Sequence, residues 1–270
     1  MNPMSDMRMA SFDRLSIGEP MPRFRHDDVE IAFLDEGAGE PIMLVHGFAS
    51  TAAVNWVHPG WLATLKSDGR RVIALDNRGH GASAKLYDPA AYHSAIMAED
   101  VRALLDHLDL GCADVMGYSM GARIAAFLAL EHPQRVRSAI FGGLGGHLVE
   151  GVGIPANVAD ALEASSLAAI SDPVGRTFRA FAEQTQSDLK ALAACVRGSR
   201  QTLTRDELAM IRVPALVAVG SKDTIAGSGP ELATLLPFGR SLDITGRDHM
   251  TAVGDKLFKQ GVLGFLGERP

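Results

Sequence analysis

Basic residues are in short supply. Twenty-six lysines and arginines stand against 32 aspartates and glutamates in 270 residues, a formal net charge of -6. Nucleic acid and anionic membranes both reward a basic face, so neither is an expected partner. Cysteine is nearly absent. Cys112 and Cys195 are the only two. They are too few and too far apart for a disulfide framework or a zinc site, and read as small buried hydrophobes. No uninterrupted apolar run reaches membrane-spanning length. Met1 to Arg14 mix charge with small polar groups and hold no apolar stretch, so no signal peptide is expected and a cytoplasmic enzyme is the default. The histidines form no H-E-x-x-H pattern, and Gly142–Gly146 lacks the placement before a helix that a phosphate loop needs. No metal and no cofactor is therefore expected.

What is present is an ordinary globular mix, 47% hydrophobic and 21% charged, in a chain long enough for one large core. Met1 to Pro20 reads as an N-terminal arm (residues 1–20). Short β-branched runs then alternate with longer helical patterns, the rhythm of βαβ units and a mostly parallel sheet flanked by helices. Strands are expected at Val29–Leu34, Ile42–Val45, Arg71–Leu75, Val115–Met116, Val136–Phe141, Ala215–Val219 and Leu242–Ile244. Helices are expected at Tyr92–Leu108, Ala122–Leu130 and Met250–Phe265. Between Gly142 and Ile211 the patterns are helical only, with candidates at Ala156–Ala169, Pro173–Ala182 and Asp188–Val196. The fold class is thus α/β, with a core of residues 21–142 and 212–270 and a helical cap, residues 143–211, inserted after the sixth strand.

Gly117-Tyr118-Ser119-Met120-Gly121 matches G-x-S-x-G between an apolar strand and an unbroken helix, the context of a nucleophile elbow. Side chains at the two glycines would collide with the neighbouring backbone. Ser119 is the candidate nucleophile, at a helix N-terminus whose N–H groups favour developing negative charge. His46-Gly47-Phe48 follows the Ile42–Val45 strand, and backbone N–H groups of Phe48 and Met120 are the candidate oxyanion donors. His46 itself reads as structural. A base that follows serine and acid in the chain must be a late histidine. Only His249 lies beyond His147. Asp223, in Gly220-Ser221-Lys222-Asp223 after the Ala215–Val219 strand, is the candidate acid that orients it. Asp248 is too close to His249 in the chain, Asp243 lies within a strand, and no acid follows the Val136–Phe141 strand until Glu150.

With these pieces, together with Asp76-Asn77-Arg78-Gly79-His80-Gly81-Ala82-Ser83, the chain resembles the α/β-hydrolase superfamily from about Val29 to Phe265. The subgroup resembled includes carboxylesterases, lactonases, cofactor-free haloperoxidases and meta-cleavage C–C hydrolases. That resemblance implies that the Asp76–Ser83 segment is architecture beside the site. Haloalkane dehalogenases and epoxide hydrolases share the scaffold but place aspartate where Ser119 stands, which sets those activities aside. The expected function is hydrolysis of carboxylic esters of small, largely apolar substrates through an acyl-enzyme. The alternatives are a C–C bond hydrolase or lyase acting on a keto or dienoic acid, and a ligand receptor with slow hydrolysis. Trp56, Leu144, Leu148, Phe178 and Phe181 are the candidate pocket lining. Arg123, Arg176 and Arg179 fall on helical patterns and read as solvent-facing, with a substrate carboxylate as the other option. The expected partner is a small molecule, and a homodimer is compatible with the sequence.

Overall fold

The computed structural model describes residues 21–151 and 154–269; the expected N-terminal arm lies outside them. The chain opens with β1 (Arg23–His26), β2 (Val29–Glu36) and β3 (Glu40–Val45), then α1 (Trp61–Ser67) and β4 (Arg70–Leu75). Next come α2 (Ser94–His107), β5 (Ala113–Tyr118), α3 (Met120–Glu131) and β6 (Val136–Gly142). Helices α4 (His147–Glu150), α5 (Val158–Glu163), α6 (Pro173–Gln184), α7 (Leu189–Gly198) and α8 (Arg205–Met210) follow without a strand among the described residues. The core resumes with β7 (Ala215–Gly220), α9 (Gly229–Leu235), β8 (Gly239–Ile244) and α10 (Lys256–Glu268). The eight strands form one sheet in the order β1-β2-β4-β3-β5-β6-β7-β8. β2 runs antiparallel to both its neighbours, and every pair from β4 to β8 is parallel.

The period-2 alternation of each strand divides the core into two layers. Met43, Val45 and Val115 point to one face, where Val101, Leu104, Ile124 and Leu128 of α2 and α3 cover them. Ile42, Leu44 and Met116 point to the other, against Trp61 and Leu65 of α1 and Phe258, Val262 and Phe265 of α10. Strands buried on both faces are largely apolar, and all six residues of β5 and of β7 are buried. The one charge within these two strands is Asp114 of β5. The fully buried carboxylate of Asp114 accepts Nε and Nη2 of Arg269 at 2.8 Å each and the hydroxyl of Ser138 at 2.7 Å. It thereby ties the end of α10 under β5 and β6, and the pairing raises the pKa of Arg269. No described helix is long and apolar enough to cross a membrane.

Candidate active site

The carboxyl ends of β3, β5, β7 and β8 lie along one rim of the parallel part of the sheet, and the loops leaving them carry the candidate groups. Ser119 follows β5 and heads α3 with φ 54° and ψ −112°, a strained conformation for a residue with a side chain. The chain must pass very close to its neighbours to make this turn. A Cβ on Gly117 would lie 2.1 Å from the carbonyl oxygen of Gly121, and one on Gly121 would lie 2.0 Å from that of Val45. The amide of Ser119 donates to the carbonyl of Gly142 at 2.7 Å, which binds the turn to the end of β6.

Three expected side chains meet in one chain of hydrogen bonds. Nε2 of His249 lies 2.9 Å from Oγ of Ser119. Nδ1 of the same ring lies 2.7 Å from Oδ2 of Asp223. The other oxygen of Asp223 accepts the amides of Ile225 at 2.8 Å and Ala226 at 3.0 Å, so the carboxylate has no rotational freedom left. An ionised carboxylate can only accept, so Nδ1 carries the proton and Nε2 is left as acceptor for the serine hydroxyl. The ring and the acid are both shielded: the side chain of His249 is 8% exposed and that of Asp223 0%. Asp248 spends its carboxylate on its own loop, accepting the amides of Met250 at 3.1 Å and Thr251 at 2.9 Å.

The Phe48 and Met120 amides flank the serine, and among the described residues neither donates to a protein acceptor. Asn55, on a short π-helical turn (Ala53–Val57), accepts the amide of Gly47 at 3.0 Å and so fixes the strand-to-loop turn that presents Phe48. His46 braces the same turn from behind. Its Nε2 accepts the amide of Asn77 at 2.9 Å, so its Nδ1 donates to the carbonyl of Gly47 at 2.7 Å. Burial lowers the His46 pKa to about 4. The neighbouring His80, with ring centroids 5.1 Å apart, is lowered to about 3, first by burial and then by His46. The Asp76–Ser83 segment is held as architecture. Asp76 accepts the amides of Ala52 and Ala82 at 2.8 Å, and Arg78 grips Asp100 with two bonds of 2.7 Å.

Two recesses open from Ser119, sharing Phe48 and Ile154 as a divider. The first runs past Met120, Arg123, Leu144, Val196 and Arg200. The second runs past Phe178, Phe181, His249, Met250 and Val253. Of the expected lining residues, Leu144 faces the first and Phe178 and Phe181 the second. Trp56 and Leu148 do not line either. Trp56 turns inward from the π-turn and packs its ring 6.3 Å from that of Trp61, where it fills the layer beneath the loop. Leu148 is fully buried in the α2–α3 layer of the core.

Of the three arginines expected to face solvent, Arg176 does so, whereas Arg179 and Arg123 depart from expectation. Arg179 is buried, its guanidinium donating to the carbonyls of Ala161, Leu162 and Ala164 at the end of α5 at 2.9–3.1 Å. Arg123 is 9% exposed and faces the first recess. Residues not anticipated from the sequence are Tyr118, whose Oη donates to the carbonyl of His249 at 2.6 Å, and Ile154, Arg200, Met250 and Val253 in the recesses. Tyr118 stood inside the elbow motif; the others lie in loops with no pattern to mark them. Among the described residues one trio, Glu99, Glu131 and His132, could offer ligands to a cation. Glu131 closes α3, eleven residues and about 17 Å of helix beyond Met120, so the trio is no part of this site.

Comparison with known proteins agrees with this architecture. The profile of the alpha/beta hydrolase fold matches residues 40–144. The chain is 35% identical over 223 residues to the dihydrolipoyllysine-residue acetyltransferase component of an acetoin cleaving system from Pseudomonas putida, covering 73% of this chain and 57% of that one. It is 36% identical over 112 residues to a 2-hydroxymuconate semialdehyde hydrolase from Pseudomonas sp. (strain CF600), covering 42% of this chain and 39% of that one. The chain therefore spans about half or less of those two relatives. Among solved structures, a hydrolase from Pseudomonas aeruginosa PA01 superposes with a TM-score of 0.74 at 26% identity, covering 92% of this chain and 98% of that one. Sheet order, elbow and these likenesses together make the chain a member of the α/β-hydrolase superfamily.

Proposed function

We propose that this protein is a serine hydrolase that cleaves carboxylic esters of small substrates through an acyl-enzyme. The observation that carries the reading is the continuous path from Ser119 Oγ through His249 to Asp223, with links of 2.9 and 2.7 Å. His249 Nε2 takes the hydroxyl proton as Oγ attacks the ester carbonyl, and Asp223 stabilises the imidazolium without taking its proton. The Phe48 and Met120 amides hold the oxyanion, each contributing roughly 3–4 kcal/mol of barrier lowering. The imidazolium then gives its proton to the departing alkoxide, and the alcohol leaves. Water, deprotonated by the same nitrogen, attacks the acyl group; the proton returns to Ser119 Oγ as the acid is released. A fluorophosphonate should label Ser119, and Ser119→Ala should abolish both labelling and turnover of a chromogenic short-chain ester. Retained turnover in that variant overturns the reading.

A second reading is cleavage of a C–C bond in a keto or dienoic acid. It is supported by the guanidinium of Arg123 on the wall beside Ser119 and by the likeness to the semialdehyde hydrolase. Assay of a keto-dienoic acid against a simple ester separates the two.

A further inference from the structure

Among the described residues, the first recess is lined by two arginines and no acid. Arg123 rises from α3 one turn beyond Ser119, its own amide donating to the Ser119 carbonyl at 3.1 Å. Side chains on a helix lean toward its N-terminus, which carries this guanidinium back toward the nucleophile. Its one described side-chain bond is from Nη1 to the carbonyl of Gln201. Arg200 comes from the cap, just after α7, and donates from Nη1 to the carbonyl of Ile154 at 2.6 Å. Among the described residues neither arginine forms an ion pair, although most of the chain's other arginines do. Every described residue lining the recess apart from these two is uncharged. A buried cation is costly without a counter-charge, and two cations facing one space make it costlier. Burial and the charge of Arg200 together lower the Arg123 pKa to about 10, still far above neutrality, so the guanidinium stays charged.

The second recess has the opposite character. Phe178, Phe181, Met250 and Val253 line it, and so does His249, which the first recess lacks. The group that protonates the leaving alcohol must lie on the leaving-group side. The alcohol therefore belongs in the apolar recess and the acyl chain in the one with the arginines.

Resting on the reading that Ser119 attacks an ester, we infer that Arg123 and Arg200 form a carboxylate subsite, and that the substrate is a monoester of a short dicarboxylic acid with an apolar alcohol. The free carboxylate of the acyl half supplies the missing counter-charge. Arg123 is the fixed wall of this subsite and Arg200 the part contributed by the cap.

The test compares kcat/KM for the mono-4-nitrophenyl ester of glutaric acid with that for 4-nitrophenyl pentanoate, its neutral analogue of equal chain length. The wild type should prefer the glutarate ester by about ten- to a hundredfold, the range of a charge-assisted hydrogen bond. That ratio should fall toward one in Arg200→Met and in Arg123→Met. Because Arg123 is buried and its variant is at risk of misfolding, the exposed Arg200 provides the second route. Calorimetric titration of free glutarate reads the subsite without turnover. Glutarate should bind the wild type at least tenfold more tightly than butyrate, and Arg200→Met should lose that margin. Equal rates on the two esters, or a ratio unchanged by Arg200→Met, overturn the inference and leave ester hydrolysis standing. Selective glutarate binding with no hydrolysis of either ester would instead keep the subsite and remove the proposed function.

Discussion

The phenol of Tyr118 donates to the backbone carbonyl of His249 at 2.6 Å, so the residue immediately before the serine holds the loop that carries the histidine. Their rings lie 5.6 Å apart at 48°. Burial raises the Tyr118 pKa, which keeps this donor protonated across the working range. Tyr118→Phe removes only the hydroxyl and leaves that buried carbonyl without its partner. Such a loss is worth about 1–3 kcal/mol. Part of it should appear as a roughly tenfold lower kcat, because the ring that moves the proton is displaced, with a smaller change in KM, because the first recess and the Phe178 and Phe181 wall of the second do not depend on this bond. Steady-state kinetics with a chromogenic ester, alongside a thermal melt, makes the comparison. A variant that loses stability but keeps kcat would show that Tyr118 only packs.

The elbow makes a sharper stability prediction. Gly121→Ala brings a methyl group 2.0 Å from the Val45 carbonyl oxygen, where backbone meets backbone and nothing flexible can yield. Destabilisation beyond about 3 kcal/mol is expected, as for severe overpacking. Gly264, on α10, meets nothing within 4 Å. Gly264→Ala should stabilise by roughly 0.5–1 kcal/mol, since alanine has the better helix propensity. Urea unfolding of the two variants should move the midpoint in opposite directions; a shift of the same sign in both would contradict the contact geometry.

Much of this site could be read from the chain because its chemistry is tied to local backbone demands. Gly117 and Gly121 are required by contacts of 2.1 and 2.0 Å, so the elbow announces itself in sequence. Asp223 and His249 follow strands at the sheet rim, and strand-then-polar-loop is a legible pattern. Other features depend on what covers an element from a distance. Helix α3 is buried from Met120 through Ala129, with sheet on one side and cap on the other. An arginine there reads as a surface residue from periodicity alone, whereas the packing around α3 buries Arg123. Strand β1 escaped notice because only Phe24 of its four residues is buried. The last helix begins at Lys256, capped by Asp255, rather than at Met250, because Asp248 turns the intervening residues into a loop. Trp56 lines neither recess because its ring turns inward against Trp61, a packing contact between distant residues that no local pattern marks.

His46 and His80 predict an acid-sensitive fold. Both are fully buried, with pKa values lowered from 6.5 to about 4 and about 3. Above pH 6.5 neither the folded nor the unfolded chain protonates them, and the stability they allow is fully present. Below it the unfolded chain binds protons first, and stability falls until the folded pKa values are reached. Each group costs up to about 1.4 kcal/mol per pH unit in that window. His26, raised by its bond to Asp100, acts in the opposite sense and offsets part of the loss. Unfolding free energy measured in urea should drop by about 2–3 kcal/mol between pH 7 and pH 5. A flat profile over that interval would mean that these two imidazoles are protonated in the fold.

The hydrogen bonds of Asp223 allow its orienting role to be separated from its structural one. Oδ1 accepts the amides of Ile225 and Ala226, while Oδ2 faces His249 Nδ1 at 2.7 Å. Asp223→Asn can keep its carbonyl oxygen on the two amides, so the loop retains its anchors. The amide nitrogen then replaces Oδ2 and donates where the carboxylate accepted. The imidazole must respond by placing its proton on Nε2, the nitrogen needed to accept the Ser119 hydroxyl proton. The expected result is a folded protein with a kcat lowered roughly 10⁴-fold at neutral pH. Activity should recover in part as pH rises, when ionisation of Ser119 no longer depends on the ring. Melting temperature and a pH–rate profile of the variant, set beside the wild type, read both halves of the prediction. A variant with wild-type kcat would mean that another acceptor orients His249.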